Sequence, residues 1–346
     1  MDVLKIGDRK ISFDETPLVI AELGINHGGD LLEAFKIVDS AKRAGVEVIK
    51  HQTHVVDDEM SPSAKNIVPG NSEKNIYQIM SECALNKDDE IRLKDYIESK
   101  GMIFISTPFS RAAADRLEEM NVPAYKVGSG ECNNFPLLKH ISSFGKPIIL
   151  STGMNTMENV SRAVSILESY GVEHALLHTT NLYPTPPHLV RLGAITELKN
   201  KFPDKVIGLS DHTTCNLACL GAIALGASIL ERHYTDTLAR KGPDISCSMD
   251  ETQCRDLISG SQILALARGG KKEPVEEEQV TMDFAFATVV SIKPIKKGDV
   301  FDESNIWVKR PGSGEIPASS FESVIGKISN KNLKEGTHLS FCDISS

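Results

Sequence analysis

The sequence predicts an α/β protein: a (β/α)8 barrel of the TIM type, preceded by a short β-hairpin and followed by a small β-rich domain. Three observations predict it. Eight short apolar runs each end in a polar, chemically useful residue. Helical segments closed by glycine alternate with them. After residue 268 the texture changes to a polar linker and then to short β-like runs. Buried parallel strands are apolar throughout. Eight of them, each followed by a helix, close a barrel whose active site lies at the strands' C-terminal ends.

Residues 1–17 read as a β-hairpin with Gly7-Asp8 at its turn. The barrel spans 18–268. Its apolar runs are Val19–Ala21 into Glu22, Val48-Ile49 into Lys50 and Gln52, Ile103–Ile105 into Ser106 and Thr107, and Ala124-Tyr125 into Lys126 and Ser129. Ile148–Leu150 into Ser151, Ala175–Leu177 into His178 and Asn181, Val206–Leu209 into Ser210-Asp211-His212, and Ile229–Arg232 into His233 complete the set. Helices are expected over 31–44 (stopped by Gly45), 88–100 (Gly101), 112–120, 157–170 (Gly171) and 217–225 (Gly226). The longest gap follows the second strand. There 55–75, with Pro62, Pro69 and Gly70-Asn71, reads as an extended loop over the mouth. Residues 269–283 form a polar linker. The β-like runs 284–292 and 306–309 place a β-rich domain over 284–346.

Thirty-eight Lys and Arg against 47 Asp and Glu leave a formal charge of −9. That argues against a nucleic-acid or anionic-membrane surface. Seven cysteines without a Cys-x-x-Cys pair fit a reducing cytoplasm, and Cys215 and Cys219, four apart, read as buried thiols on one helix face. The charged N-terminus is no signal peptide. No apolar stretch approaches the ~18 residues of a membrane span.

His212 and His233 end the seventh and eighth strands. Adjacent strands lie ~4.8 Å apart, so the two imidazoles can share an ion, or can be hydrogen-bonded rim histidines. Residues at i and i+2 share a strand face. Ser210 and His212, Glu231 and His233, and Lys50 and Gln52 therefore all point into one mouth. Lys50 and Lys126 can anchor an anion, form a Schiff base or make ion pairs. The hydroxyls of Thr107, Ser129, Ser151 and Ser210, with Gly128 and Gly130, favour an anion cradle. Glu22 and Glu131 are rim carboxylates that can act as general base, bind a sugar hydroxyl or pair with the lysines. Asn26-His27 and Asn133-Asn134 read as loop-structural.

These residues stand in strings that resemble the sialic acid synthases: Glu22-Leu23-Gly24-Ile25-Asn26-His27, Lys50-His51-Gln52-Thr53-His54, Ser106-Thr107-Pro108-Phe109-Ser110 and Lys126-Val127-Gly128-Ser129-Gly130-Glu131. Ser151-Thr152-Gly153-Met154, Asn181-Leu182-Tyr183-Pro184-Thr185-Pro186, Ser210-Asp211-His212-Thr213 and Glu231-Arg232-His233 continue the likeness. It runs nearly end to end, and residues 284–346 resemble that family's antifreeze-like (SAF) domain. The resemblance implies condensation of phosphoenolpyruvate with N-acetylmannosamine and water to N-acetylneuraminate and phosphate, with C–O cleavage. It implies His212 and His233 as ligands of a divalent metal, Mn2+ before Mg2+ or Co2+. It implies Lys50, Thr107, Lys126, Ser129, Ser151, Asn181 and Ser210 as phosphoenolpyruvate contacts. Glu22, Gln52, Asn71, Tyr183 and Asp244 fall around the sugar and reacting centre. Arg310 is then presented to the sugar of a partner subunit, in a homodimer whose antifreeze-like domains are exchanged. Glu22, with Glu131 in reserve, is the expected proton-handling carboxylate. Within the family, a legionaminic or pseudaminic acid synthase using a diacetamido-trideoxy hexose is the alternative. A Schiff-base aldolase on Lys126 and a carbohydrate- or ice-binding protein are more remote ones.

Overall fold

The computed structural model describes residues 3–69 and 73–345. Two antiparallel strands, β1 (Leu4–Ile6) and β2 (Arg9–Ile11), form the hairpin, with Gly7 at the turn in the left-handed region at φ 57°. Eight parallel strands then close a barrel: β3 (Leu18–Gly24), β4 (Val48–Thr53), β5 (Ile103–Pro108), β6 (Tyr125–Val127), β7 (Ile148–Ser151), β8 (His174–Thr179), β9 (Val206–Asp211) and β10 (Ile229–His233). Neighbours in sequence are neighbours in the sheet, and β10 closes on β3 through five register pairs from Ile229↔Leu18 to His233↔Glu22.

The helices follow as crossovers. They are α1 (Leu31–Ala44), α2 (Val56–Glu59), α3 (Ile76–Cys83), α4 (Lys87–Ser99), α5 (Arg111–Glu119), α6 (Phe135–Ser142), α7 (Met157–Ser169), α8 (Gly193–Lys201), α9 (Leu217–Ala224) and α10 (Glu251–Ala267). Their ends are written locally. Asp30 accepts the Leu32 and Glu33 amides at 2.8 and 3.2 Å, and Gly45 closes α1 in the left-handed region, the usual N-cap and C-terminal devices.

Two apolar layers result. The outward strand residues and the helices share one core, which includes Ile37, Phe104, Leu138, Leu176 and Leu230. Inside the barrel, Leu18, Ile20, Val48, Ile105, Ile149, Leu177 and Ile229 form a second core. Leu4, Ile6 and Ile11 of the hairpin join it, so the hairpin plugs the end opposite the mouth. Dry packing thus fills the bottom, and the polar residues are left the top. Gly208 permits this packing: a Cβ there would lie 2.4 Å from the Ile229 carbonyl oxygen.

The chain divides at Gly269/Gly270 into two compact units. The second contains α11 (Gln279–Ala285), the antiparallel pair β11 (Thr288–Ser291) and β12 (Ile306–Lys309), α12 (Phe321–Val324), and the pair β13 (Ile328–Ser329) and β14 (Ile344–Ser345). Its own core gathers Val289, Phe301, Ile306, Ile316 and Leu339. Among the described residues, no helix is long and apolar enough to cross a membrane.

Several expectations need correction. Residues 55–75 are not simply extended: α2 and a 3-10 turn (Pro62–Asn66) occupy part of the segment, and Asn75 caps α3. One-turn helices are too short for periodicity to reveal. Asn71 lies outside the described residues. Residues 279–285 of the expected linker and strand are helical, and the strand begins only at Thr288. Cys215 precedes α9 and is exposed, whereas Cys219 is buried.

Asn26 donates to the Tyr234 carbonyl and to Ser248 Oγ, both at 2.9 Å, and so ties the β3–α1 loop to the segment after β10. Beside it, burial lowers the His27 ring from 6.5 to about 4. The folded protein therefore keeps His27 neutral where the unfolded chain takes up a proton. Stability from this residue is complete above pH 6.5 and is lost as pH falls toward 4, by about 3 kcal/mol at 1.4 kcal/mol per pH unit. Denaturant titrations at pH 7 and pH 4 should show His27→Gln losing correspondingly less stability on acidification than wild type.

Candidate active site

The inward side chains that end the barrel strands meet in one cavity of about 120 Å3 at the mouth. β3 contributes Glu22, β4 contributes Lys50 and Gln52, and β5 contributes Thr107. Lys126 and Ser129 come from β6 and the turn after it, and Ser151 from β7. Asn181 and Tyr183 follow β8, Ser210 and His212 come from the end of β9, and Glu231 and His233 from β10. The period-two register delivers the strand-borne ones to one face, and the turns after β6 and β8 add Ser129, Asn181 and Tyr183.

At its floor lie four buried charges. Lys50 Nζ is 2.6 Å from Glu22 Oε2 and 3.6 Å from Glu231 Oε1, and Lys126 Nζ is also 3.6 Å from Glu231 Oε1. Thr107 Oγ1 accepts from Lys50 at 3.2 Å, Ser151 Oγ from Lys126 at 2.7 Å, and Ser210 Oγ donates to Glu231 at 3.0 Å. Burial pushes the Glu22 carboxyl up, and Lys50 only partly draws it back. Burial would raise Glu231 too, but Lys126 and Lys50 together outweigh it and hold that carboxyl down. Lys126 is lowered by burial, whereas Glu22 and Glu231 more than offset burial at Lys50 and raise it. The array is neutral overall but has two ammonium groups and a row of hydroxyls facing open space, an arrangement suited to a small multivalent anion.

Ser129 and Asn181 border Gly153. The Gly153 amide donates to Ser129 Oγ at 3.1 Å, and a Cβ on Gly153 would fall 2.0 Å from Asn181 Oδ1. That oxygen is buried without a hydrogen-bond partner.

On the opposite side of the mouth, the rings of His212 and His233 are 5.4 Å apart, with Tyr183 over His212 at 4.2 Å. His212 Nδ1–H donates to the Thr180 carbonyl at 2.9 Å, which leaves the Nε2 lone pair free. His233 Nδ1 is buried without a hydrogen-bond partner, 3.7 Å from Asp244 Oδ2. Burial keeps both rings neutral, lowering them to about 4 and about 3. Neutral imidazoles, one oriented through its second nitrogen, fit a divalent metal. Among the described residues there is no group of three or more His, Cys, Asp or Glu that could hold one, so water and substrate oxygens would complete the coordination. Gly24, at φ 51°, makes room: a Cβ there would meet His233 Nδ1 at 3.1 Å and Asp244 Oδ2 at 3.4 Å. Burial raises the Asp244 carboxyl to about 6.

Glu131 does not join this cavity. It lies on the turn after β6, where Asn134 Nδ2 donates to it at 2.5 Å. Arg310, exposed at the end of β12, belongs to the second unit. The role missed is that of Glu231, expected in the mouth but given no function. Its place two before His233 puts it on the inward face, and its contact with both lysines makes it the centre of the charge array. Also unforeseen is the outward face behind the histidines. There the fully buried Arg232 reaches Asp211 at 3.5 Å and donates to Asn216 Oδ1 and the Thr213 carbonyl, each at 2.7 Å. This pair braces the two strands that carry His212 and His233.

Fold and site together define a barrel whose mouth sets two buried lysines and a row of hydroxyls beside two neutral histidines. The chain belongs to the NeuB family, whose model matches residues 37–273, and a SAF domain matches residues 286–344. It is 35% identical to an uncharacterised protein of Methanocaldococcus jannaschii over 345 residues, 99% of this chain and 98% of that one. It is also 35% identical to the N,N'-diacetyllegionaminic acid synthase of Campylobacter jejuni over 334 residues, 92% of this chain and 97% of the relative. The crystal structure of an N-acetylneuraminic acid (sialic acid) synthetase from Leptospira borgpetersenii, in complex with citrate, superimposes with a TM-score of 0.75 at 29% identity. That match covers 81% of this chain and 95% of the other. The resemblance to sialic acid synthases drawn from the motifs therefore holds, as does the barrel with its SAF domain.

Removing one partner of a buried ion pair leaves the other charge uncompensated. Arg232→Met should cost about 3–5 kcal/mol in denaturant unfolding, far more than its distance from the cavity would imply.

Proposed function

We propose that this chain condenses phosphoenolpyruvate with an acetamido hexose in its open aldehyde form, yielding a nine-carbon 2-keto-3-deoxy acid and phosphate. The observation that carries the reading is the pairing, in one mouth, of the Lys50–Lys126 hydroxyl-lined cradle with the free nitrogens of His212 and His233. In the reaction, C3 of the enol phosphate bonds to the aldehyde carbon, water adds at C2, and the C2–O bond to phosphate breaks.

The residues divide the work. Lys50 and Lys126 neutralise the carboxylate and phosphate, while Thr107, Ser129, Ser151, Asn181 and Ser210 fix their orientation. Glu231 keeps both ammonium groups in register between ligands. His212 and His233 would hold a divalent ion, Mn2+ in the first reading and Mg2+ or Co2+ otherwise, which would supply Lewis acidity for the aldehyde. Glu22, held up by burial, has the carboxyl suited to hold and release the sugar-side proton. Gln52, Tyr183 and Asp244 surround the sugar. Orienting two substrates in attack geometry can supply up to roughly 7–11 kcal/mol of the barrier. In a homodimer with exchanged SAF domains, Arg310 of a second subunit meets the sugar's N-acetyl group. The reaction is cytoplasmic.

N-acetylmannosamine, giving N-acetylneuraminate, is the substrate proposed first. A diacetamido-trideoxy hexose is the second reading, favoured by the 35% identity to a diacetyllegionaminic acid synthase over nearly the whole chain. The deciding experiment offers phosphoenolpyruvate with each hexosamine, with and without EDTA and Mn2+, and follows phosphate. Release that depends on one sugar and on added metal is expected; metal-independent release, or pyruvate trapping on Lys126 by borohydride, would overturn the reading. His212→Ala should abolish metal-stimulated turnover and leave unfolding by denaturant within about 1 kcal/mol of wild type. Arg310→Ala should raise the sugar KM and spare the phosphoenolpyruvate KM.

A further inference from the structure

Behind Glu22 runs a line of hydrogen bonds that leaves the cavity. Gln52 Nε2 donates to Glu22 Oε1 at 2.7 Å. Gln52 Oε1 lies 3.2 Å from His54 Nε2, and His54 Nδ1 lies 2.7 Å from Glu59 Oε2. His54 and Glu59 do not line the mouth. His54 is buried and stacked on Phe109, with centroids 4.6 Å apart and an interplanar angle of 7°. Glu59 ends the single-turn helix α2.

The directions of these bonds are not independent. Glu22 accepts from Lys50 at its other oxygen, so it is an acceptor toward Gln52 as well. The amide must then present its NH2 to Glu22 and its oxygen to His54. An amide oxygen accepts only, so His54 Nε2 donates to it. The Glu59 carboxylate likewise accepts from Nδ1, so both ring nitrogens donate and the ring meets its partners as an imidazolium paired with Glu59. Without a donor at that position, the amide can turn and set oxygen against carboxylate. Glu59 at Nδ1 fixes the ring that supplies the donor, and the stack on Phe109 fixes the ring's plane.

We infer that His54 and Glu59 are positioning residues of the sugar side: through Gln52 they fix which group faces Glu22 and the incoming aldehyde. The inference rests on the reading of Gln52 and Glu22 as sugar-side residues, and it adds the βα-loop helix α2 to the machinery. The relay also couples the loop to the strand. Displacing Glu59 releases a bond that ends on a cavity carboxylate.

His54→Phe keeps the stack on Phe109 and removes both ring donors. The expected result is an about tenfold rise in the sugar KM, the scale of one hydrogen bond, with an unchanged phosphoenolpyruvate KM. In a Gln52→Ala background the same substitution should change the sugar KM less than twofold, because the residue it acts through is gone. An equal effect in both backgrounds overturns the inference. A second readout needs no substrate. In protein labelled with 15N-glutamine, the Gln52 side-chain NH2, identified by its absence in Gln52→Ala, should be protected from exchange in wild type and lose protection in His54→Phe. Retained protection overturns the inference whatever sugar is used. Lost protection, in a protein whose wild type turns over no acetamido hexose, supports the relay and defeats only the functional reading. Should His54→Phe not fold, Glu59→Leu is read by the same two measurements, with the same outcomes.

Discussion

The site is organised by four charges that the barrel has taken out of water. Glu22, Lys50, Glu231 and Lys126 are almost wholly buried, and their side chains touch in sequence around the floor of the mouth. Desolvating one such charge alone is prohibitive, and even a pair breaks even only with good geometry and further hydrogen bonds. The array approaches that condition because Thr107, Ser151, Ser210 and Gln52 supply further bonds, although Glu231 Oε2 stays buried without a hydrogen-bond partner. It remains asymmetric. Glu231 serves two lysines and Glu22 one, so burial wins at Glu22 and the lysines win at Glu231. Two chemically identical carboxyls thereby acquire different roles: one a fixed counter-charge, the other a group able to exchange a proton.

Holding that array requires strands that do not shift. A slip of one residue would turn Lys50 and Gln52 out of the mouth and His51 and Thr53 into it. The outward faces resist the slip with polar anchors of their own. Arg232 and Asp211 lock β9 to β10, and His51 and Thr53 of β4 meet the buried carboxyl of Glu90 on α4. The hairpin beneath the barrel acts on the same constraint. With Leu4, Ile6 and Ile11 completing the inner core, the bottom stays dry and the interior's polar groups are confined to the end where substrate enters.

All eight strands were legible because burial on both faces makes a parallel strand apolar along its length, and the change to polar residues marks the mouth. Elements of a single turn were not. α2 is four residues long, and α11 alternates polar with apolar residues from Gln279 to Phe284, a period-two pattern that hides a helix. The strand-borne site residues were legible for the same reason as the strands: i and i+2 positions share a face. Glu231 was seen on that face and given no role, since only the fold sets it between two lysines from β4 and β6. Glu131 was misjudged for the converse reason. It follows Lys126 closely in sequence, but the turn after β6 carries it toward Asn134 rather than the cavity. The Arg232–Asp211 pair was overlooked because residues between two inward ones read as structural filler.

The same division bears on specificity. Under the proposed chemistry, the groups for the shared substrate, the enol phosphate, sit on strand ends or immediately after them, where the barrel allows little variation. The groups for the sugar are drawn largely from longer connections. Tyr183 stands after β8 just before a cis bond to Pro184, Asp244 holds the N-cap position of a 3-10 turn after β10, and Gln52 is linked through His54 to Glu59 of the β4 loop. Loops accept substitutions that strands do not. One cradle can therefore be kept while the hexose changes, and identity summed over the whole chain, dominated by barrel and core, is a weak guide to the sugar. Under that chemistry, the residues that decide it belong to the loops above the histidines.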